Sequence, residues 1–415
     1  MNSLIQTGTF DVENYGDLMF PLILQKKLPG YEVCHLSPCG GGPVWSDCVS
    51  SVKLQDHLGK PFDAVIIGGG NIIHPNRSDL SSYAACGVET RGYADLWIGA
   101  TLSVTRDVPV LWNAPGVPRP IKPGFKPIVR EALERADYIS VRDEVSRKFL
   151  LDVCPGLDIA VVPDTVWDLP SIWTVEELDA EFVALTGGLS EASGPHISIH
   201  VNDRYAKDID SKELAEVIDK LCREMQASAI LVAIGPCHGD GSFARKIAGQ
   251  MTAPTVLIDR PASLKQLCAA ISRSDFYCGS SMHGYLTAAA FAVPALVVAR
   301  KTVKFDGLVR QAGSPVTLVS SWNKVLSTFA NIDRSKLSAV FSENQKVRSS
   351  ELKAHWSEIN EQLEPTLHAE HGAFGRAEFL EYHSRFDKCL AQVGRRQFSF
   401  LGKLVSGVRK LSGQL

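Results

Sequence analysis

Apolar residues occur along the chain in short runs, and segments with the apolar spacing of amphipathic helices separate many of these runs. Strands that are apolar on both faces and alternate with helices are typical of a parallel sheet covered by helices on both sides. The pattern in the first part of the chain predicts strands at 3–9, 31–37, 63–69, 108–114, 137–142 and 159–164. We therefore expect an α/β protein.

The alternation pauses in a polar, glycine-rich passage at 168–195, which predicts a linker between domains. A second series follows, with strands at 196–202, 229–235, 255–260, 275–280 and 294–299. Two such series predict two Rossmann-like domains facing across a cleft, with ligands at the carboxyl ends of the strands. The predicted organisation is an N-terminal domain at 1–175, a C-terminal domain at 190–335, a helical extension at 336–394 and a basic amphipathic helix at 395–415.

Composition narrows the class of protein. The chain has 415 residues, of which 45% are hydrophobic and 21% charged, as in ordinary globular proteins. The formal net charge of -3 gives no reason to expect a nucleic acid as partner. No apolar run is long enough for a membrane span and no secretory signal is present, so we expect a cytoplasmic protein. The cysteines lack C-x-x-C spacing, and Cys222, Cys268 and Cys278 lie in apolar runs that predict buried free thiols.

The loop after the first predicted strand, TGTFDVENYGD (7–17), leads into a helical segment. Asn14, Gly16 and Asp17 occupy the positions where a helix N-cap is expected. These residues either cap the helix or face a ligand in the cleft, and the sequence favours neither role over the other.

A second loop, VIIGGGNIIH (65–74), also follows a strand. Glycines such as Gly69 and Gly70 permit positive φ and close backbone approach, and Asn71 follows them. The loop lacks G-x-G-x-x-G spacing, which argues against a dinucleotide site. We expect either a ligand-facing loop or tight packing of the strand against a helix.

Four polar residues lie at or near the ends of other predicted strands. Arg142 can hold a carboxylate or phosphate in the cleft, or pair with a neighbouring acidic residue. Asp164 either caps the next turn or faces the cleft, and His200 and Asn202 are near the exit of the strand at 196–202. All four are candidate cleft residues.

The stretch CGSSMHGYLTAAAFAVP (278–294) predicts a strand followed by a helix of small residues. His283 falls in the first turn of that helix, where the macrodipole favours a neutral imidazole suited to acid/base exchange. The N–H groups from Ser281 to Gly284, beside Ser280, form a potential anion site. The alternative is a core histidine on a capped helix.

These motifs together resemble the polysaccharide pyruvyl transferases over roughly residues 8–320. The matching segments, in order, are N-Y-G-D (14–17), G-G-G-N (68–71), S-V-R-D-E-V-S (140–146), P-D-T (163–165), I-H-V-N (199–202), G-S-S-M-H-G-Y-L-T-A (279–288) and K-F-D-G-L (304–308) with Gly313. The resemblance implies a twin-Rossmann fold of the GT-B type. It also implies transfer of the enolpyruvyl group of phosphoenolpyruvate to a sugar of an exopolysaccharide, capsule or cell-wall glycan, with release of phosphate.

By position, the resemblance implies that Arg142 binds the donor and that His283 is catalytic. Many members of the family have R-L-H where this chain has Ser281, Met282 and His283. Lys301, Lys304 or Arg300, in the loop that follows the next strand, could neutralise the donor phosphate instead.

The chemistry that the resemblance implies assigns further roles. Arg142 would bind one anionic group of phosphoenolpyruvate and the helix start at Ser280–His283 the other. Asp17 or Asp164 would assist the acceptor hydroxyl. Phosphoenolpyruvate is a substrate, and no cofactor or metal is predicted because the sequence shows no metal-ligand cluster. We expect the acceptor on the N-terminal domain and the donor on the C-terminal one.

Two other functions fit the same sequence. One is a GT-B glycosyltransferase that uses a nucleotide-sugar donor, since it shares the two-domain fold and binds phosphates in the cleft. The other is a non-catalytic component of a polysaccharide-assembly complex. The acceptor sugar and the oligomeric state are not predicted by the sequence.

Residues 395–415 contain five basic residues and no acidic ones, with apolar residues at helical spacing. This pattern predicts a basic amphipathic helix that either lies at a membrane surface or docks on protein. A membrane contact would hold the protein at the inner face of the plasma membrane, beside a lipid-linked oligosaccharide acceptor.

Overall fold

The computed structural model of the chain describes residues 2–105, 108–187, 194–299, 303–368 and 370–411, without the side chains of 303, 304, 306, 367, 368 and 395–411. The strands are β1 (Asn2–Thr7), β2 (Tyr31–Leu36), β3 (Pro61–Phe62), β4 (Ala64–Gly68), β5 (Val110–Asn113), β6 (Ser140–Val141), β7 (Ala160–Val161), β8 (His196–His200), β9 (Ser228–Val232), β10 (Thr255–Ile258), β11 (Phe276–Gly279), β12 (Ala295–Val298), β13 (Leu318–Val319) and β14 (Gly372–Ala373). The helices are α1 (Tyr15–Lys27), α2 (Ser81–Ala85), α3 (Gly92–Ala94), α4 (Ala100–Leu102), α5 (Lys126–Arg135), α6 (Glu144–Leu151), α7 (Val175–Thr186), α8 (Ser211–Met225), α9 (Asp240–Ala248), α10 (Leu264–Ser272), α11 (Met282–Ala290), α12 (Val303–Gln311), α13 (Val325–Ala330), α14 (Arg334–Leu363) and α15 (Arg376–Leu411).

The first half of the chain forms a parallel sheet with the strand order β2-β1-β4-β5. Every residue of β4 and β5 is buried, as expected for strands covered on both faces. A parallel bridge between Leu111 and Tyr138 leads on to the short parallel pair β6-β7. The carboxyl ends of these strands carry the loops that contain Asn14, Asn71 and Arg142.

The second half forms a parallel sheet with the strand order β10-β9-β8-β11-β12-β13. β8 and β11 are neighbours, and His200 is the register partner of Gly279. The residues that follow these two strands therefore emerge side by side at one edge of the sheet. These two parallel sheets with their helices confirm the predicted α/β class.

The two sheets meet through helices rather than through strands. α1 of the first unit packs against α10 and α11 of the second, and one apolar cluster includes residues of both units, such as Leu18 and Leu286. The Tyr15 hydroxyl lies 3.1 Å from Thr287 Oγ1, and the Tyr15 N–H donates to the Ile234 carbonyl at 2.9 Å. The start of α1 is thus held directly beside the start of α11.

Two long helices return the chain to the first unit. α14 packs its first part on α11, where the Ser338 hydroxyl donates to the Ala292 carbonyl, and its second part on the turn at Thr165–Ser171 of the first unit. In that second part, the Trp356 indole donates to Asp168 at 2.7 Å. α15 packs on the first unit, where Phe386 stacks on Phe125. The helical extension therefore spans both units.

Two local features differ from the sequence pattern, and one agrees with it. The polar passage expected as a linker contains the helix α7, which begins with a capping box formed by Thr174 and Glu177. Cys222, Cys268 and Cys278 are buried free thiols, as predicted. Cys39 and Cys86, by contrast, form a disulfide.

The predicted helix at 395–415 is the last part of α15, which is helical to Leu411. Its side chains from residue 395 onward, and residues 412–415, lie outside the described part of the chain. No helix within that part is long and apolar enough to cross a bilayer.

His355 on α14 generates a test of how this helix holds the two units together. Its Nε2 donates to Asn113 Oδ1 at 3.0 Å, and its Nδ1 accepts from the Tyr138 hydroxyl at 2.9 Å. Burial lowers the pKa of His355 from 6.5 to about 4, so the folded protein keeps the ring neutral. The stability that depends on this neutral ring is complete above about pH 6.5 and is lost as the pH falls towards about 4.

We expect His355→Gln to flatten the dependence of the free energy of unfolding on pH between about 6.5 and 4, by up to about 1.4 kcal/mol per pH unit. Denaturant unfolding at several pH values measures this slope. Tyr138→Phe is the control, because it removes the hydrogen bond at 2.9 Å but leaves the histidine to titrate. A slope in His355→Gln equal to that of the wild type would contradict the assignment.

Candidate active site

A cavity of about 240 Å³ lies where the carboxyl ends of the two sheets meet. Its wall contains residues that follow β1, β4, β8, β9 and β11, so both units contribute. The sequence-predicted residues that border it are Asn14, Asp17, Asn71, His200, Asn202, Ser280, Ser281 and His283. The cleft between two Rossmann-like units is therefore the candidate site.

His283 lies in the first turn of α11, as predicted, and is 8% exposed. Ser281 is the N-cap of this helix, and its hydroxyl accepts the Gly284 N–H at 3.2 Å. The His283 ring makes an edge contact with Phe20 on α1 and places Nε2 3.7 Å from Asp164 Oδ2. Nε2 has no hydrogen-bond partner among the described residues. The imidazole is thus held by packing, with a buried and unpartnered Nε2, in a residue that borders the cavity.

The position of Gly16 in the structure explains why the N-Y-G-D motif has a glycine. A Cβ atom on Gly16 would overlap Nδ1 and the neighbouring ring atoms of His283. Only glycine at this position lets the start of α1 approach the imidazole from the other unit. Gly16 does not border the cavity, but its contact with the imidazole determines the position of the His283 side chain.

Asp164 and Arg142 form a buried ion pair behind His283. The Arg142 guanidinium donates to Asp164 Oδ2 at 3.0 Å through Nη1 and to the side-chain oxygen of Asn71 through Nη2. Burial raises the pKa of Asp164, but His283, Arg142 and the Val166 N–H together lower it to about 2. Asp164 is therefore ionised at neutral pH, and it also caps the turn at Thr165–Ser171 through the Val166 N–H.

Arg142 does not stand where the sequence led us to expect. It is 2% exposed and is not among the residues that border the cavity, because Asn71 covers its guanidinium. The strand-end rule, by which residues after parallel strands lie at the cleft, correctly predicts Arg142 at the edge of the cleft. Its hydrogen bonds to Asp164 and Asn71, however, direct the guanidinium away from the cavity. In this structure Arg142 orients Asp164 and Asn71 rather than facing a ligand.

The glycine loop at 68–70 packs tightly and is not an open phosphate nest. Gly69 and Gly70 have φ values of +85° and +70°, which L side chains rarely adopt. A Cβ on Gly69 would overlap the ring of Phe20, and one on Gly70 would meet the Asp17 carboxylate. The Gly69 N–H is also used, since it donates to the Asn113 carbonyl. The loop therefore supports α1 and places Asn71 at the cavity.

Asn14 and Asp17 interact with each other. Asn14 is the N-cap residue of α1 by position, but its side chain makes no capping hydrogen bond. Its Nδ2 instead donates to Asp17 Oδ2 at 2.7 Å. Both residues border the cavity, which favours the ligand-facing alternative for this loop.

A second buried histidine pairs with a carboxylate at this cavity. His200 Nε2 lies 2.8 Å from Asp240 Oδ2, which also accepts the Gly235 N–H at 2.7 Å, while Asn202 donates to the other carboxylate oxygen. Burial raises the pKa of Asp240, but its interactions with His200, the Gly235 N–H and Asn202 lower it overall. Asp240 is therefore ionised at neutral pH.

Several cavity residues were missed by the sequence analysis. The missed polar and aromatic residues are Thr9, Tyr93, Arg204, Tyr205, His238, Asp240 and Phe305. His238 and Asp240 follow β9, so the strand-end rule applied to the loop after 229–235 could have found them. Arg204 lies in a short turn after β8, and no motif in the sequence marked it.

Positive charge is sparse at the described wall of the cavity. Arg204 is the one lysine or arginine among the described residues that border it, and its side chain is half exposed and 3.4 Å from Asp79. Burial, followed by the charge of Arg204, lowers the pKa of His238. The basic residues expected to assist the donor lie outside the described residues: Arg300, Lys301 and the side chain of Lys304. Within the described residues no group of three or more His, Cys, Asp and Glu could hold a metal ion.

Comparison with solved structures places the fold. A UDP-GlcNAc 2-epimerase from Neisseria meningitidis, solved with UDP-GlcNAc, has a TM-score of 0.52 and 14% identity, with 85% of this chain and 100% of that chain covered. The wall teichoic acid polymerase TagF has a TM-score of 0.48 and 13% identity, with 88% and 90% covered. A UDP-forming trehalose-phosphate synthase from Burkholderia xenovorans has a TM-score of 0.49 and 12% identity, with 89% and 100% covered. The likeness to the first confirms the predicted GT-B-like fold and, at this identity, nothing about the substrate.

Comparison of sequences identifies the family. No curated protein sequence matches the chain. The family described as polysaccharide pyruvyl transferase matches residues 14–302, which is more than half of the chain and includes Gly16, Asp164, His200 and His283. The chain belongs to the polysaccharide pyruvyl transferase family.

Proposed function

We propose that the protein transfers the enolpyruvyl group of phosphoenolpyruvate to two hydroxyls of a sugar in an exopolysaccharide, capsule or cell-wall glycan. The product is a pyruvate ketal, and phosphate is released. One observation carries the proposal: Gly16 of one unit lies against the His283 imidazole of the other, with Asp164 3.7 Å from Nε2, at the wall of a shared cavity. A buried histidine beside an ionised carboxylate in a cleft is a common arrangement for acid/base catalysis.

The start of α11 offers a site for the phosphate or carboxylate of the donor. N–H groups in the first turn of a helix, with the macrodipole, favour anions. The Ser280 hydroxyl is buried at the cavity and has no hydrogen-bond partner among the described residues. In the proposal, Ser280 and the N–H groups of this turn contact one anionic group of phosphoenolpyruvate.

Ser281 occupies the position where many relatives have arginine, and its side chain is used as a helix cap. We assign the missing positive charge to Arg204, which borders the same cavity and whose guanidinium has a long contact of 3.4 Å with Asp79. A guanidinium can form two parallel hydrogen bonds to a phosphate or carboxylate. Arg142 takes the role of a positioning residue for Asp164 and Asn71 in this scheme.

The reaction requires protonation of C3 of the enol and attack of a hydroxyl oxygen at C2. His283 is the proposed acid/base: it takes the proton of the first attacking hydroxyl and returns a proton to C3. Asp164, held ionised by Arg142, stabilises the imidazolium between these transfers. In the proposal, Asp17, which borders the cavity and accepts a hydrogen bond from Asn14, orients the acceptor.

A nucleotide-sugar glycosyltransferase is the second candidate, because the structure with the TM-score of 0.52 binds UDP-GlcNAc and shares the fold. Ligand-induced shifts of the melting temperature separate the two donors. We expect phosphoenolpyruvate to raise the melting temperature and UDP-GlcNAc to leave it unchanged. The reverse result would favour the glycosyltransferase.

His283→Gln tests the proposed catalytic role. We expect phosphate release from phosphoenolpyruvate, with methyl glycosides of glucose, galactose and mannose as acceptors, to fall by about 10²-fold or more. His196→Gln, at the partly exposed start of β8, is the matched control and should retain activity. Wild-type turnover in His283→Gln with an unchanged melting temperature would remove His283 from the mechanism.

Gly16→Ala tests whether the contact between the units orients His283. The added methyl must displace the imidazole, so we expect activity to fall by about 10²-fold while stability falls by only about 1–3 kcal/mol. Gly30→Ala is the control, because an added Cβ there meets nothing within 4 Å. Full activity in Gly16→Ala would mean that this contact does not set the catalytic geometry.

Arg204→Gln tests the assignment of the donor charge. Loss of one charge-assisted hydrogen bond from a partly exposed site should raise the Kd for phosphoenolpyruvate about tenfold, and Arg204→Lys should raise it less. Isothermal titration calorimetry measures both. Arg245→Gln is the control, because Arg245 pairs with Asp259 and does not border the cavity. Equal affinity in Arg204→Gln and wild type would show that another cation serves the phosphate.

A further inference from the structure

The cavity has two histidine–carboxylate pairs, and the mechanism above uses only one. His200 is 3% exposed and Asp240 is 3% exposed, yet both border the same cavity as His283. The two histidines come from neighbouring strands: His200 ends β8, and its carbonyl accepts the N–H of Ser280, three residues before His283. Both histidines therefore belong to the wall of one cavity.

The hydrogen bond to Asp240 fixes which ring nitrogen of His200 faces the carboxylate as donor. An ionised carboxylate only accepts hydrogen bonds, so the 2.8 Å contact requires that Nε2 carries a proton and donates it to Asp240 Oδ2. In the neutral tautomer with that proton on Nε2, Nδ1 carries the lone pair. This nitrogen is buried and has no hydrogen-bond partner among the described residues. A neutral imidazole with a free lone pair, held by an ionised carboxylate, is the usual form of a general base.

The carboxylate itself is firmly held. Asp240 is the first residue of α9, and it accepts hydrogen bonds from His200, the Gly235 N–H and the Asn202 side chain. Its position cannot change without breaking several contacts, so the orientation of the imidazole is set before a ligand binds. Such preorganised support favours a catalytic function over a mobile contact.

We propose that His200, positioned by Asp240, is the second base of the reaction and acts when the ketal ring closes. This inference rests on the proposed function. In the first stage the first hydroxyl oxygen bonds to C2, its proton passes to His283, and C3 gains a proton to become a methyl group. In the second stage the bond from C2 to the phosphate oxygen breaks, with its electron pair leaving on phosphate. The second hydroxyl oxygen then bonds to C2, and its proton passes to His200 and on to the departing phosphate.

The protons balance in this scheme. Two leave the sugar hydroxyls, one is retained in the methyl group, and one departs with phosphate. A single histidine could serve both stages only if it reached both hydroxyls in turn. Two preoriented histidines at one cavity avoid that movement, since Asp240 holds His200 by a hydrogen bond and packing against Phe20 and Gly16 holds His283.

The test separates the two stages. Wild type, His200→Gln and His283→Gln are incubated in D₂O with phosphoenolpyruvate and the methyl glycosides of glucose, galactose and mannose. Ketal formation and deuterium at C3 of recovered phosphoenolpyruvate are measured by mass spectrometry. In His200→Gln we expect ketal formation to fall by about 10²-fold or more, while deuterium incorporation continues because the first stage is intact and reversible. In His283→Gln both should be lost.

A second variant distinguishes a catalytic defect from a loss of folding in His200→Gln. Asp240→Asn keeps the size of the side chain and should show the same separation with a smaller loss of ketal formation. His196→Gln, on the same strand, should match the wild type in both measurements. Melting temperatures are measured for every variant.

Three results would overturn the inference. Wild-type ketal formation in both His200→Gln and Asp240→Asn would show that the pair only supports α9. Parallel loss of ketal and deuterium in folded His200→Gln would assign His200 to the first stage. A wild-type protein that neither consumes phosphoenolpyruvate nor exchanges deuterium would reject the proposed function itself, which is a different result from a defect confined to the variants.

Discussion

The candidate site depends on one contact, in which the backbone of Gly16 lies against the His283 imidazole. These residues belong to different units, and each lies in the first turn of a helix, Gly16 in α1 and His283 in α11. Because Gly16 has no side chain, the two helix starts can approach until the ring is enclosed. Tyr15, the neighbour of Gly16, fixes this contact through two interactions with the second unit. Its hydroxyl contacts Thr287 and its N–H donates to the Ile234 carbonyl. The geometry at His283 is therefore a property of how the two units pack.

Two buried carboxylates, Asp164 and Asp240, further restrict the positions of the two histidines. Arg142, which also donates to Asn71, holds Asp164 of the first unit, and Asp164 lies 3.7 Å from His283 of the second. The Asp240 carboxylate holds His200 entirely within the second unit. Leaving either carboxylate without its partners would cost several kcal/mol, since a buried charge requires compensation. Both histidines are therefore oriented by networks that exist before a substrate enters, and this is the physical basis for the proposed acid/base roles.

Much of this arrangement could be predicted from the sequence. Alternating apolar runs and helices predicted the two α/β units, and the strand-end rule identified Asn14, Asn71, His200 and His283, which border the cavity. The rule works because parallel strands end at one edge of a sheet. It says where a residue emerges and not which way its side chain turns. Arg142 was therefore brought to the correct edge but faces Asp164 and Asn71 rather than the cavity.

Other features depend on contacts between residues far apart in the chain. Nothing local to His200 indicates that its partner is Asp240, forty residues later, nor does N-Y-G-D indicate that its glycine meets His283. The return of α14 to the first unit relies on Trp356 and Asp168 in the same way. Such pairings follow from the packing of the complete fold, and local patterns do not contain them.

A crystal structure of the protein with phosphoenolpyruvate would test the account most directly. The account predicts the donor in the cavity of about 240 Å³, with an anionic group at the start of α11 near Ser280 and Arg204, and with the enol carbons in contact with His283, still packed on Gly16. A donor bound outside this cavity, or a His283 ring separated from both Gly16 and the donor, would contradict it.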